Sequence, residues 1–289
     1  MAILIDEHTR LLVQGITGKV GSFQSRIMKD SGTNIVAGVT PGKGGFTEYG
    51  IPVYDYVEDA MEAHRPDVAL SFVPAPFAKD AAIEVIDNGL RAIILTAAGI
   101  PDHDMLAVLT SAAGRGVHVL GPDTPGLVSP GKCKAGVHPN RVLKEGKVGI
   151  VSKSGALSYE VCKLLTESGI GQSTIVGIGG GPLWGLTQQD VLAMFDEDPE
   201  TKIVVMLGEV GGMMEHDAAA FIMKRMKKPV IALIVGHGAP PGAQMGHAGA
   251  IIEGDRETAE SKVHVLQQAG AFIAKSPAEI VSRIQQIGV

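Results

Sequence analysis

Aromatic residues are scarce in this chain, with one Trp, four Tyr and seven Phe among 289 residues. Together with 38 glycines, that scarcity argues against a β-sandwich and for a tightly turned α/β fold. Cysteine is nearly absent too. Cys133 and Cys162 stand in neither a CxxC nor a His-spaced arrangement, so they read as buried thiols in a reducing compartment. There is no basic excess: a formal charge of -6 leaves no surface for nucleic acid, although a local anion site is still allowed. Long apolar runs are missing as well. Val230–Val235 is far below bilayer length, so no membrane association is expected. The start, Met1 to Glu7, carries neither a basic region followed by an apolar one nor an Arg-rich amphipathic pattern, and the expected location is cytoplasmic.

What is present is an alternation. Short β-rich runs at Leu11–Gln14, Ile35–Val39, Val68–Val73, Ala92–Thr96 and Val117–Leu120 are separated by amphipathic stretches near 22–29, 56–63, 79–88 and 104–113. Between Gly121 and Gly146 the pattern breaks into Pro, Gly and Lys, which reads as a connection. Alternation resumes with strands at 148–151, 174–177, 203–207, 230–235 and 271–274. Helices are expected near 156–168, 188–196, 216–227, 257–269 and 277–287. Continuous apolar strands with helices between them predict parallel sheets covered on both faces, and the length suits two doubly wound α/β domains in series.

Four stretches carry residues suited to chemistry, three of them at strand ends. Gly15-Ile16-Thr17-Gly18-Lys19-Val20-Gly21 follows the first strand and opens a helix, where free N–H groups attract phosphate. A nicotinamide enzyme usually places a carboxylate about twenty residues on. Here Lys43 stands in that region, which suits a nucleotide with an extra phosphate and leaves NADP and the phosphorylated ADP of coenzyme A both open. Val151-Ser152-Lys153-Ser154-Gly155-Ala156 runs from strand into helix and reads as an anion site, or as a plain N-cap at Ser154. Leu207-Gly208-Glu209-Val210-Gly211-Gly212 ends a strand with a carboxylate among glycines.

The fourth feature is Met245-Gly246-His247-Ala248-Gly249-Ala250. Its imidazole is able to act as base or nucleophile, and no metal-ligand spacing surrounds it, so no metal site is expected. Taken alone it also fits a packed core histidine. Gly126 to Cys133 imitates a P-loop and is rejected, because Cys133 stands where Mg²⁺ needs a hydroxyl and Pro130 intrudes. An anion-binding helix start, a carboxylate and a glycine-flanked histidine together fit phosphoryl transfer through His247.

These residues resemble the α subunits of the nucleoside-diphosphate-forming acyl-CoA ligases, succinyl-CoA synthetase above all. The likeness runs from Ile3 to the C-terminus. Its carriers are Gln14–Gly21, Gly38–Gly45, Val73–Phe77, Lys147–Gly155, Gly208–Gly212 and Met245–Ile252. The resemblance implies a Rossmann-like CoA-binding domain over residues 1–122, a connection at 123–146, and a flavodoxin-like ligase domain with the phosphohistidine at 147–289. It makes His247 the transiently phosphorylated residue and Glu209 its partner. It puts Thr17, Gly18, Lys19, Val20, Lys43, Thr96, Ala97 and Ala98 in the CoA site, makes Ser154, Gly155 and Ala156 the phosphate-binding helix start, and brings Tyr159 to the organic acid.

ATP or GTP with Mg²⁺ is expected mainly on a separate ATP-grasp β subunit, in a heterodimer or heterotetramer, consistent with the missing P-loop. Some positions depart from the family pattern: Gly181 stands where Asp is usual, Ala98 where Glu is usual, and Leu183–Gln188 differs and includes the bulky Trp184. His247 and Glu209 are untouched. The phosphohistidine chemistry is therefore expected to be kept, on succinate or a related dicarboxylate, with malate–CoA ligase and citryl-CoA synthetase as the alternatives within this class. A CoA-binding protein without turnover and an NADP reductase are the rival readings.

Overall fold

A computed structural model of the chain describes residues 3–288. Met1 and Ala2, which begin the expected leaderless start and the 1–122 span, and Val289, which ends the 147–289 span, lie outside them. Two compact units emerge, residues 4–138 with 183–185, and residues 139–182 and 186–288 with Ile3.

In the N-terminal unit, β1 (Leu11–Gln14) leads through α1 (Lys19–Asp30) to β2 (Ile35–Val39). Next come β3 (Thr47–Glu48), β4 (Ile51–Tyr54), α2 (Val57–His64), β5 (Val68–Ser71), α3 (Ala75–Asp87), β6 (Ala92–Leu95), α4 (Asp102–Arg115) and β7 (His118–Leu120). The sheet order is β3-β4-β2-β1-β5-β6-β7, parallel throughout except where β3 meets β4. Strands β1, β5 and β6 are buried along their whole length, which is why their sequences are unbroken apolar runs and not alternations. Leu12, Ala69 and Ile93 of these strands pack with Ala82, Val85 and Ile86 of α3 and Met105 and Val108 of α4 into one core. The order reverses beside β1, which opens a crevice at the carboxyl ends of β1 and β5.

The stretch read as a connection holds structure of its own. Strands β8 (Gly126–Ser129) and β9 (Cys133–Gly136) pair as an antiparallel hairpin, and both are buried. Periodicity missed them because Gly-Leu-Val-Ser and Cys-Lys-Ala-Gly mix small, polar and charged residues, and Lys134 is buried only by tertiary context. The same hairpin removes the P-loop imitation, since no helix follows its glycines. Strands β3 and β4 escaped notice because they are short and flanked by glycine.

The C-terminal unit runs β10 (Glu145–Ser152), α5 (Gly155–Glu167), β11 (Gln172–Gly177), α6 (Gln188–Glu197), β12 (Ile203–Glu209), α7 (Met214–Lys224), β13 (Val230–Val235), α8 (Ala259–Gln268), β14 (Phe272–Ile273) and α9 (Pro277–Ile287). Its parallel strands lie in the order β14-β13-β12-β10-β11. Helix starts are written locally. Ser154 caps α5, Thr187 and Asp190 form a capping box on α6, Thr258 caps α8, and Ser276 followed by Pro277 opens α9. Cys133 and Cys162 are free and buried, as expected, and burial pushes both thiols up to about 12. No helix among the described residues is long and apolar enough to cross a membrane.

Candidate active site

Parallel pairing brings the chemistry together. Because β12 and β13 are neighbours with Glu209 opposite Val235, the loop leaving β13 starts beside the carboxylate that ends β12. That loop returns His247 to Glu209, 38 residues away in sequence, with Nδ1 only 2.8 Å from Oε2. Gly180, from the glycine-rich end of β11, fits under the ring: a Cβ there would lie 2.6 Å from the His247 Cγ. Gly211 has φ +86, and its Cβ would lie 2.2 Å from the Gly249 carbonyl oxygen, so the glycines after Glu209 admit the histidine loop. The imidazole keeps 29% of its side-chain surface exposed. It is therefore held and also reachable, not sealed in the core.

Glu209 is mostly buried. Burial works against its ionisation, but the His247 hydrogen bond and the Lys153 charge outweigh that and hold the carboxyl below its ordinary range. An ionised carboxylate only accepts, so Nδ1 is the donor of this bond and carries a proton.

Lys153 approaches the other Glu209 oxygen at 3.6 Å and a Glu215 oxygen at 3.5 Å. Glu215 in turn accepts from the Lys262 ammonium, which also donates to the Glu209 carbonyl at 2.8 Å and the Gly211 carbonyl at 2.6 Å. Sequence reasoning missed Glu215 and Lys262 and passed over Lys153. A signal was there: Lys262 shares the apolar stripe of α8 with Ala259 and Leu266, and Glu215 shares that of α7 with Ala218, Ala219 and Ile222. A charge on the buried face of a helix needs a partner.

Next to this pair stands the start of α5. Lys153 N–H bonds the Leu207 carbonyl, which ties the turn to β12. Ser154 is the N-cap, accepting from the Leu157 N–H at 3.3 Å, while Ser152 Oγ braces the turn by donating to the Ser154 carbonyl at 2.7 Å. Gly155 and Ala156 are the first two helical residues, half-exposed and exposed, whose N–H groups have no acceptor within a helix. Tyr159 lies one turn further on. Burial and the neighbouring Cys162 push its phenol up from the ordinary value.

The remaining predicted residues lie in the N-terminal unit. Gly15 has φ +71, and a Cβ at Gly21 would fall 2.1 Å from the Gly15 carbonyl oxygen, so the turn closes onto α1 only with glycine there. Gly18 is the N-cap of α1 and offers no side-chain cap to the N–H groups of Lys19 and Val20. Thr17 N–H points at Thr40 Oγ1, 3.5 Å away. Asp55, a residue the sequence did not single out, accepts from the N–H groups of Lys43 and Gly44 at 3.0 and 2.9 Å and so fixes the Lys43 loop. The loop packs so tightly that a Gly44 Cβ would lie 2.6 Å from Asp55.

A cleft of about 520 Å³ opens there, lined by Gln14, Gly15, Thr40, Pro41, Asp55, Tyr56, Pro74 and Phe77 among others. Thr96 bonds back to the Ser71 carbonyl at 2.7 Å, so Thr96, Ala97 and Ala98 extend the same carboxyl edge at β6. Among the described residues no group of three or more His, Cys, Asp or Glu is arranged to hold a metal ion.

Residues 6–99 match the family model described as CoA binding domain, and residues 151–272 the one described as CoA-ligase. Fold and site together therefore define an α/β protein of the CoA-ligase class. Over 288 residues the chain is 52% identical to the α subunit of the ADP-forming succinate–CoA ligase of Methanothermobacter thermautotrophicus, covering 99% of this chain and 98% of the relative. It is 50% identical over 287 residues to α subunit 1 of the corresponding ligase of Archaeoglobus fulgidus, covering 99% and 98%. The chain belongs to the succinate–CoA ligase α-subunit family. Among solved structures, ATP citrate lyase of Methanosaeta concilii in complex with (3S)-citryl-CoA superposes with a TM-score of 0.90 at 26% identity. That match covers 99% of this chain and 51% of the lyase, so this chain spans about half of that protein.

Proposed function

We propose that the chain is the α subunit of an ADP-forming succinate–CoA ligase, joining succinate to CoA through a phosphohistidine and an acyl phosphate. The observation that carries this reading is the reachable His247 imidazole with Nδ1 bound to ionised Glu209, in a chain half identical to such ligases. Nε2 is the nucleophile: it bonds to the terminal phosphorus of ATP while the bond from that phosphorus to the bridging oxygen breaks and ADP leaves. The Nδ1 proton stays shared with Glu209, which compensates the positive charge the ring gains. N–H groups of Gly155 and Ala156 take the phosphoryl oxygens at the α5 start without surrendering protons. A succinate oxygen then displaces Nε2 at phosphorus, returning the free imidazole and leaving an acyl phosphate.

The residues present fit CoA. The uncapped α1 start at Thr17, Gly18, Lys19 and Val20, together with Lys43, would hold its phosphates, with Thr96, Ala97 and Ala98 along the same edge; these residues flank the cleft and are not part of its lining. When bound, CoA supplies the thiol that takes the acyl group. Tyr159 contacts the acid. Nucleotide and Mg²⁺ belong mainly to an ATP-grasp β subunit, which the naming of the relatives as α subunits supports.

The test is phosphorylation of the co-expressed αβ pair with labelled ATP and Mg²⁺. An acid-labile phosphoprotein is expected, and H247A retaining full label would end the reading. Phosphate release across a panel of succinate, malate and citrate, with GTP run beside ATP, fixes the substrates.

A further inference from the structure

Behind the His247–Glu209 pair lie four charged side chains in one buried cluster, and the reaction proposed above uses only Glu209. Lys153 and Glu209 keep 1% and 9% of their side-chain surface, and Glu215 and Lys262 keep none. The cluster joins the ends of β10 and β12 to the first turns of α7 and α8. Its charges cancel, two ammoniums against two carboxylates, and Glu209 is held as an anion. His216 on α7, whose Nε2 lies 3.4 Å from Ser261 Oγ, borders the cluster and feels the charges of Arg256, Lys262, Glu215 and Asp217.

Lys153 directly precedes the helix start that would receive the phosphoryl group, which makes it a natural candidate for a phosphate ligand. Its surroundings say otherwise. The ammonium sits between two carboxylate oxygens at 3.6 and 3.5 Å, and almost none of the side chain reaches solvent. Its charge is already engaged. Each Glu209 oxygen likewise has one task, Oε2 facing His247 and Oε1 facing Lys153.

We infer that Lys153 is a positioning residue for phosphoryl transfer, keeping Glu209 ionised and aimed at Nδ1 so that Nε2 stays the nucleophile, and that Glu215 and Lys262 hold Lys153 in place. This rests on the phosphohistidine reading. Removing the Lys153 charge leaves two buried carboxylates facing one lysine, and a proton is then taken up. Lys262 hydrogen-bonds Glu215 directly, so the proton enters the Glu209–His247 pair. With it there, the imidazole no longer keeps the single tautomer that leaves Nε2 a lone pair.

The experiment is the pH profile of His247 labelling in the αβ complex for wild type, K153M, K153R and E215Q, with folding checked by thermal melting. In K153M the acid limb moves to higher pH and labelling recovers as pH rises. For each pH unit of that movement, labelling at a fixed acidic pH falls about tenfold. K153R restores the limb towards wild type. E215Q disturbs the same packing but leaves two lysines with one carboxylate, so its limb does not move upward. Infrared spectra give a readout apart from activity: at neutral pH K153M shows a protonated carboxyl or imidazolium band that wild type lacks and that K153M/E209Q loses.

A K153M limb that stays at the wild-type position, or a loss that high pH does not repair, makes Lys153 a phosphate ligand or a structural residue and overturns the inference. If K153M fails to assemble, E215Q decides: an upward shift of its limb overturns it. Wild-type complex that takes no label ends the phosphohistidine reading, and this inference falls with it. Labelled wild type with an unmoved K153M limb sinks the inference alone.

Discussion

The two sheets solve one architectural problem in opposite ways. Each places a glycine-rich turn and a helix start at the carboxyl ends of parallel strands. In the N-terminal unit that edge is left open as a cleft of about 520 Å³, whose Tyr56 and Phe77 are largely exposed. In the C-terminal unit the corresponding edge is filled by Lys153, Glu209, Glu215 and Lys262, and of the charged cluster and its histidine the imidazole is the part that reaches outward. Recognition of a large anion is served by exposed N–H groups and lysines in water. A nucleophile needs a fixed tautomer, and that requires charges held where solvent cannot screen them. The first edge should therefore tolerate change gradually, and the second abruptly.

Breaking the charged edge at its carboxylate has the largest expected effect in this comparison. E209Q should slow His247 phosphorylation between about a hundredfold and ten-thousandfold, with CoA binding unaltered, as read by labelling and calorimetry. Its pH dependence follows from sign. The Glu209 carboxyl is held below its ordinary range, so its contribution to activity and to stability is present above the unfolded-state value. It is lost as pH falls through the depressed native value. The wild-type melting temperature should decline on that acid side, and the E209Q melting profile should lack the step.

G180A is next. Its Cβ would lie 2.6 Å from the ring of His247, so the imidazole must move off Glu209. Labelling should drop about tenfold to a hundredfold, because misplacement of about 1 Å at a reacting centre costs on that order. The melting temperature should move little, since the loop has room to give. Persistence of normal labelling would show that the ring is not fixed by Gly180.

On the open edge the expectation is milder. K43A should weaken CoA binding about tenfold, the scale of one charged hydrogen bond, and leave phosphohistidine formation unchanged. A loss of labelling in K43A would blur the division of labour between the two edges. The smallest effect belongs to T187A, away from both. Losing the side-chain half of the α6 capping box should cost about 1 kcal/mol of stability in denaturant melts, with activity intact.

How far the sequence could be read follows from which signals are local. Unbroken runs such as Leu11–Gln14 and Val230–Val235 announced buried parallel strands, and Ser154 announced a helix start, because strand burial and capping involve neighbouring residues; Thr187, Thr258 and Ser276 are caps of the same local kind that the sequence reading did not single out. His247 and Glu209 were each conspicuous among glycines. Lys153, Glu215, Lys262 and Asp55 were not, since a lone charge in a run looks alike whether it meets solvent or a partner from another element. The hairpin β8–β9 was hidden for the same reason: its small and polar residues are buried by what surrounds them.

By itself, then, the sequence determined the alternation of strand and helix, the glycine-rich and Ser-capped turns at Gly15–Gly21 and Ser154–Ala156, and the chemical identity of the proposed nucleophile. Those properties depend on backbone freedom, capping and side-chain type, all set within a few residues. Tertiary structure decided that Nδ1 meets Glu209 and Nε2 does not, and that a balanced set of buried charges backs the carboxylate. It alone could do so, because the strength and sign of an electrostatic contact depend on distance and burial, and both arise only when β10, β12, α7, α8 and the histidine loop converge.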